Sequence, residues 1–96
     1  MNMLEKLKLK KDSIMDILDE YFLVDPKIFG SVARGEETED SDVDILVTPT
    51  EKTTAIGLAG AEMFLSELLE RRVELVNSRT LLEIFKPHIE KDLVDL

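Results

Sequence analysis

The sequence predicts a small α+β domain, in which a short mixed sheet of about three strands packs against helices. Two apolar stripes at helical spacing, over residues 2–22 and 53–72, supply the helices. Three short β-favouring runs, at residues 27–29, 42–48 and 73–76, supply the strands, and breakers such as Asp25-Pro26, Gly30, Pro49 and Asn77-Ser78 stand at their edges. With 96 residues the chain can close one hydrophobic core, so one domain over residues 1–96 is expected.

The elements follow in order. Between Asn2 and Phe22 the residues Leu4, Leu7, Ile14, Ile17, Leu18 and Tyr21 mark one face of an amphipathic helix. Asp25-Pro26 ends that pattern, and Lys27-Ile28-Phe29 reads as strand one, closed by a tight turn at Gly30. Ser31 is expected to cap a single helical turn over Val32 to Gly35. Asp42 to Thr48 reads as strand two, stopped by Pro49. The stripe of Leu58, Ala61, Leu65, Leu68 and Leu69 predicts a long core helix within Thr53 to Arg72, with two arginines near its C-terminal end. Val73 to Val76 predicts strand three, and Thr80 onward one or two short helices around Pro87.

Composition narrows the function. With 21 acidic and 12 basic residues the formal net charge is −9, which disfavours direct contact with nucleic-acid phosphates and favours a cationic ligand or a basic protein partner. There is no cysteine, so neither a disulfide framework nor a thiolate metal site is available. No apolar run approaches the roughly 20 residues that span a bilayer, and no signal segment is recognisable, so a cytoplasmic location is expected.

The chemistry concentrates in one stretch. Glu36, Glu37, Glu39, Asp40, Asp42 and Asp44 crowd into nine consecutive positions directly after Gly30-Ser31. Like charges that dense are tolerated where water solvates them or a cation neutralises them. The first four are expected in a solvated loop. Asp42 and Asp44 differ, because residues two apart on a strand project to the same face and an apolar run follows them directly. Such a pair suits Mg²⁺, which takes one or two protein carboxylates and completes its shell with water and substrate phosphates. Gly30-Ser31 brings backbone N–H groups and a hydroxyl to a strand end, where a phosphate oxygen can be met. If strand three neighbours strand two, Glu74 joins the two aspartates, and three carboxylates can hold two ions.

Gly30-Ser31, ten residues, then Asp42-Val43-Asp44 resembles the signature of the DNA polymerase β-like nucleotidyltransferase superfamily, and a domain of this length resembles its minimal nucleotidyltransferases. The resemblance implies a small nucleotidyltransferase fold, ATP as substrate, and Mg²⁺ as cofactor on Asp42, Asp44 and Glu74. It also implies triphosphate contacts at Gly30 and Ser31. Glu74 stands where the family usually carries Asp, so the carboxylate is kept with one more methylene of reach. Members of this group commonly act as antitoxins paired with a helical HEPN-domain ribonuclease toxin, and some transfer AMP from ATP to a toxin tyrosine. The alternative is a non-catalytic antitoxin that neutralises its partner by complex formation; transfer to a small-molecule hydroxyl ranks third.

Some residues admit plainer roles. Ser31 can serve as a helix cap as well as a phosphate contact. Arg34 can reach a phosphate or pair with the acidic loop. Asp40, Asp42, Asp44 and Glu51 match calcium-loop spacing, but the position that needs Gly holds Ile45. His88, the single histidine, is expected to be a surface or packing residue, since nothing in the sequence sets it beside the carboxylates.

Overall fold

The structure, a computed structural model, describes residues 1–81 and 83–96. Its elements run α1 (Met3–Leu9), α2 (Lys11–Glu20), β1 (Leu23–Phe29), α3 (Gly30–Arg34), β2 (Val43–Pro49), α4 (Ala55–Leu69), β3 (Val73–Asn77), α5 (Lys86–Glu90) and β4 (Val94–Asp95). The sheet order is β3-β2-β1-β4. β1 runs antiparallel to both β2 and β4, and β2 runs parallel to β3. A parallel pair needs a crossover connection, and α4 provides it. The α+β class is as expected, with one strand more than the sequence suggested.

Side-chain alternation divides the sheet. On β2 the residues Val43, Ile45 and Val47 are fully buried, and they join Leu23 and Ile28 of β1 and Val73 and Leu75 of β3 in the core. Leu7, Ile14, Leu18, Ala61, Leu65 and Leu69 cover that face from α1, α2 and α4. Asp44, Leu46 and Thr48 are half-buried and alternate with the buried set, so they face the other way.

Several local expectations are corrected. The single helix over residues 2–22 is two helices hinged at Lys10, which caps the end of α1 and the start of α2. No buried residue lies between Leu7 and Ile14, so packing does not hold a straight helix there. Lys6 and Lys10 instead send Nζ to the Leu69 and Leu68 carbonyls, 3.4 and 3.1 Å away, where the C-terminal end of α4 favours cations. Strand one begins at Leu23 rather than Lys27. Asp25, with φ of 53°, and Pro26 sit where the register with β2 shifts, so the proline interrupts no regular pairing. Ser31 is not the cap of α3, whose N-cap residue is Phe29 and which has no side-chain cap bond. Thr54 does cap α4, accepting from the Gly57 N–H at 2.9 Å. The helix stops at Leu69, with Glu70 left-handed at φ of 52°. Arg71 and Arg72 therefore lie beyond the helix.

Ile45 is fully buried at the centre of the sheet. Ile45→Ala is expected to cost about 2–5 kcal/mol, seen as a lower urea midpoint at unchanged slope.

Candidate active site

The site begins where β1 ends. Phe29 pairs with Asp44 across the antiparallel ladder, and Asp44 pairs with Glu74 across the parallel one. Residues directly paired in a sheet share a face, so Phe29, Asp44 and Glu74 form a row over three strands. Gly30 follows with φ of 74°, in the left-handed region that glycine enters without a Cβ penalty. Space demands glycine as well, because a Cβ built there would collide with the Asp44 carboxylate. Ser31 is the second residue of α3, and Gly35, at φ of 72°, ends that short helix.

Asp42 lies just before β2, two residues from Asp44, and its Oδ2 is 3.9 Å from Nη1 of Arg72. The Val43 N–H donates to the Arg72 carbonyl at 2.9 Å, fixing the entry to β2 against the residue that precedes β3. The Asp44 carboxyl is pushed above the ordinary carboxylate range, first by burial, then by the charges of Glu74 and Asp42; Arg34 offsets part of this. Glu74 is exposed. Glu62 of α4 also feels Glu74: burial raises its carboxyl, a hydrogen bond from the Leu75 N–H lowers it, and the Glu74 charge raises it further.

A groove of about 330 Å³ opens on this row. Asp44, Glu74 and His88 line it together with apolar Phe29, Val76 and Phe85. His88 therefore shares a groove with the carboxylates, which corrects the expectation that nothing brings it near them. The spacing of Phe85, His88 and Ile89 at i, i+3 and i+4 puts them on one helix face, but only the packing of that segment brings the face to the carboxylates. Arg34 pairs with Asp92 (Nη1 to Oδ2, 2.7 Å) and with Glu36 of the acidic loop (Nε to Oε2, 3.2 Å). Asp92, which the sequence reading overlooked, raises the Arg34 guanidinium first, and Glu36 second.

Of the acidic loop, Glu36, Glu39 and Asp40 are exposed as expected, whereas Glu37 is half-buried with Oε1 lacking a hydrogen-bond partner. Arg71 steadies the loop by donating to the Thr38 and Ser41 carbonyls at 2.8 and 3.0 Å. Asp44 lies on a strand rather than in a calcium-binding loop.

Among the described residues no three His, Cys, Asp or Glu side chains converge tightly enough to hold a metal ion by themselves. The donor set still fits Mg²⁺. Hard carboxylate oxygens at Asp42 and Asp44, beside a turn where glycine lets the backbone come close, match an ion that draws most of its shell from water and substrate.

A family model described as a nucleotidyltransferase domain matches residues 11–95. The chain belongs to that family. It is similar to MJ0126 of Methanocaldococcus jannaschii, named as a candidate protein adenylyltransferase, at 38% identity over 80 residues and 82% of each chain. It is also similar to the protein adenylyltransferase MntA of Thermococcus cleftensis, at 46% identity over 54 residues, 56% of this chain and 54% of that one. Among solved structures, a candidate minimal nucleotidyltransferase superposes with a TM-score of 0.85 at 33% identity, covering 100% of this chain and 97% of the other. A toxin-antitoxin structure with AMP-PNP shares the fold at a TM-score of 0.75 and 22% identity, over 88% of this chain and 70% of the other. The protein is a nucleotidyltransferase.

Because the folded state holds the Asp44 proton more tightly than the unfolded chain does, this residue favours folding at low pH and loses that contribution as pH rises through its elevated pKa. Asp44→Asn should therefore stabilise the metal-free fold at pH 7 and raise its melting temperature, since it removes the buried charge first and the repulsion from Glu74 and Asp42 second, the latter up to about 1 kcal/mol. The gain should vanish near pH 3, as thermal scans across pH would record. Gly30→Ala is expected to cost about 1–2 kcal/mol from its backbone angle and to displace the Asp44 carboxylate. Its loss of turnover should exceed its loss of stability.

Proposed function

We propose that the protein transfers AMP from ATP to a hydroxyl on a partner protein, with Mg²⁺, and that it acts as the antitoxin of a HEPN-domain toxin. The observation that carries this reading is the position of Asp44, between the Gly30 turn on one side and Glu74 on the other. Gly30 and Ser31 receive the triphosphate through backbone N–H groups and the serine hydroxyl. Asp42 and Asp44 hold the metal, and Glu74 assists. Mg²⁺ bound there would supply positive charge to the triphosphate oxygens and to the attacking hydroxyl. Arg34, fixed by Asp92 and Glu36, keeps a further positive charge within reach of Asp44.

In the transfer, the acceptor oxygen forms a bond to the α-phosphorus while the bond from that phosphorus to the bridging oxygen breaks. Pyrophosphate leaves with that bond's electron pair, and the hydroxyl proton passes to the Glu74 carboxylate. The names of the relatives, protein adenylyltransferases, support AMP as the transferred group. Structures of the same fold support the partner: one is a toxin-antitoxin with AMP-PNP, and another is a tri-AMPylated HEPN toxin of Shewanella oneidensis with its MNT antitoxin.

A second reading, a binding module that masks the toxin without chemistry, is favoured by the lack of a three-carboxylate cluster among the described residues and by the exposure of Glu74. Adenine-labelled ATP, Mg²⁺ and the partner separate the two. Label that stays on the denatured partner is expected; a tight complex without label would support the module. Replacing Asp42 and Asp44 together by Asn should abolish pyrophosphate release while circular dichroism stays native, and unchanged turnover would reject this site.

A further inference from the structure

The outer surface of α4 is at odds with its place in the fold. Of its 15 residues only Glu62 and Glu67 carry charge, in a chain that is 34% charged. A helix that buries one face in the core ordinarily turns polar residues to water on the other. Here Ala61, Leu65 and Leu69 enter the core, and the opposite side carries Ile56, Ala59 and Met63, spaced i, i+3 and i+7 along one stripe. Ile56 is 86% exposed and Met63 54%. One flank of the helix is covered, since the Tyr21 ring lies against Gly57 and Gly60 and stacks on Phe64 at 6.1 Å between centroids. The stripe itself stays in water.

That stripe is complementary to itself. Ile56 and Met63 are large, Ala59 and Gly60 between them are small, and the next charged residues outward are Lys52, four before Ile56, and Glu67, four after Met63. Lys52 and Glu67 are both exposed. A two-fold axis between Ala59 and Gly60, with the helices antiparallel, sets Ile56 beside Met63 of a second copy and Lys52 beside its Glu67, each pair occurring twice. Small residues at the axis let the two helices approach closely. A parallel arrangement would set Lys52 on Lys52 and Glu67 on Glu67 and align the two helix dipoles. Two chains of net charge −9 repel one another, and contact between them is least opposed along a stripe that carries no charge of its own.

We infer that α4 is the surface through which two copies of this chain associate, antiparallel about Ala59 and Gly60, with Ile56 and Met63 as the apolar contacts and Lys52 paired with Glu67 at both ends. The face lies on the far side of the sheet from Asp44, which points away from the core that α4 covers. The association therefore leaves both carboxylate rows uncovered, and it stands independently of the transfer reading above.

Sedimentation equilibrium of the whole chain over a wide concentration range tests it, with circular dichroism as the check on folding. A monomer–dimer equilibrium is expected. Ile56→Lys, at a position already in water, should keep the native spectrum and weaken association by about tenfold or more, because a two-fold interface loses the side chain twice. Lys52→Glu and Glu67→Lys should each weaken it about threefold, and the double variant, with the charges exchanged, should return to the strength of the starting chain. That rescue is specific to the antiparallel register. A chain that is monomeric at every concentration would overturn the inference, as would a dimer indifferent to Ile56→Lys or a double variant no stronger than the single ones. A monomeric chain whose Ile56→Lys variant loses affinity for a purified HEPN-domain partner would assign the face to that partner and overturn it too.

Discussion

Everything at the site depends on one crowded carboxylate. Asp44 is half-buried, pressed against Gly30 at the start of α3 and paired directly with another carboxylate on the neighbouring strand. Like charges opposite one another in a sheet are destabilising, by up to about 1 kcal/mol for such a pair. The core behind the sheet holds the arrangement, since each fully buried Ile, Leu or Val there contributes roughly 1.5–3 kcal/mol. One strand's alternation joins the two: Val43, Ile45 and Val47 anchor β2 while Asp44 faces the groove.

The cations are distributed in keeping with this. Arg71 holds backbone carbonyls of the acidic loop, Arg72 stands near Asp42, and Arg34 ties the loop to Asp92. Asp44 receives only the distant pull of Arg34, and its carboxyl stays raised. A protein at net charge −9 that leaves a half-buried carboxylate so weakly compensated gains from a divalent cation arriving with a triphosphate.

Much of this was legible in the sequence. Strand periodicity set Asp44 on the face away from the core, whereas Asp42, expected on the same strand, lies just before β2; the Gly30 turn does lie against Asp44. The neighbouring of strands two and three, only conditional in the sequence, is fixed by α4 crossing between a parallel pair. What escaped was tertiary. The hinge at Lys10 depends on carbonyls 58 residues away at the end of α4. β4 is two residues long and exists through its pairing with Lys27 and Ile28 of β1. A strand through Asp25-Pro26 looked forbidden because local propensity does not reveal a register shift. His88 looked isolated because only the return of the C-terminal segment brings α5 to the groove.

The most direct measurement replaces Mg²⁺ by paramagnetic Mn²⁺ and maps the broadening of backbone amide signals with AMP-PNP present. Broadening centred on residues 30–31, 42–44 and 74, and dependent on the nucleotide, is the expected result. Broadening centred on Glu36, Glu37, Glu39 and Asp40, or the same with and without nucleotide, would contradict a metal held between the strand carboxylates and a triphosphate.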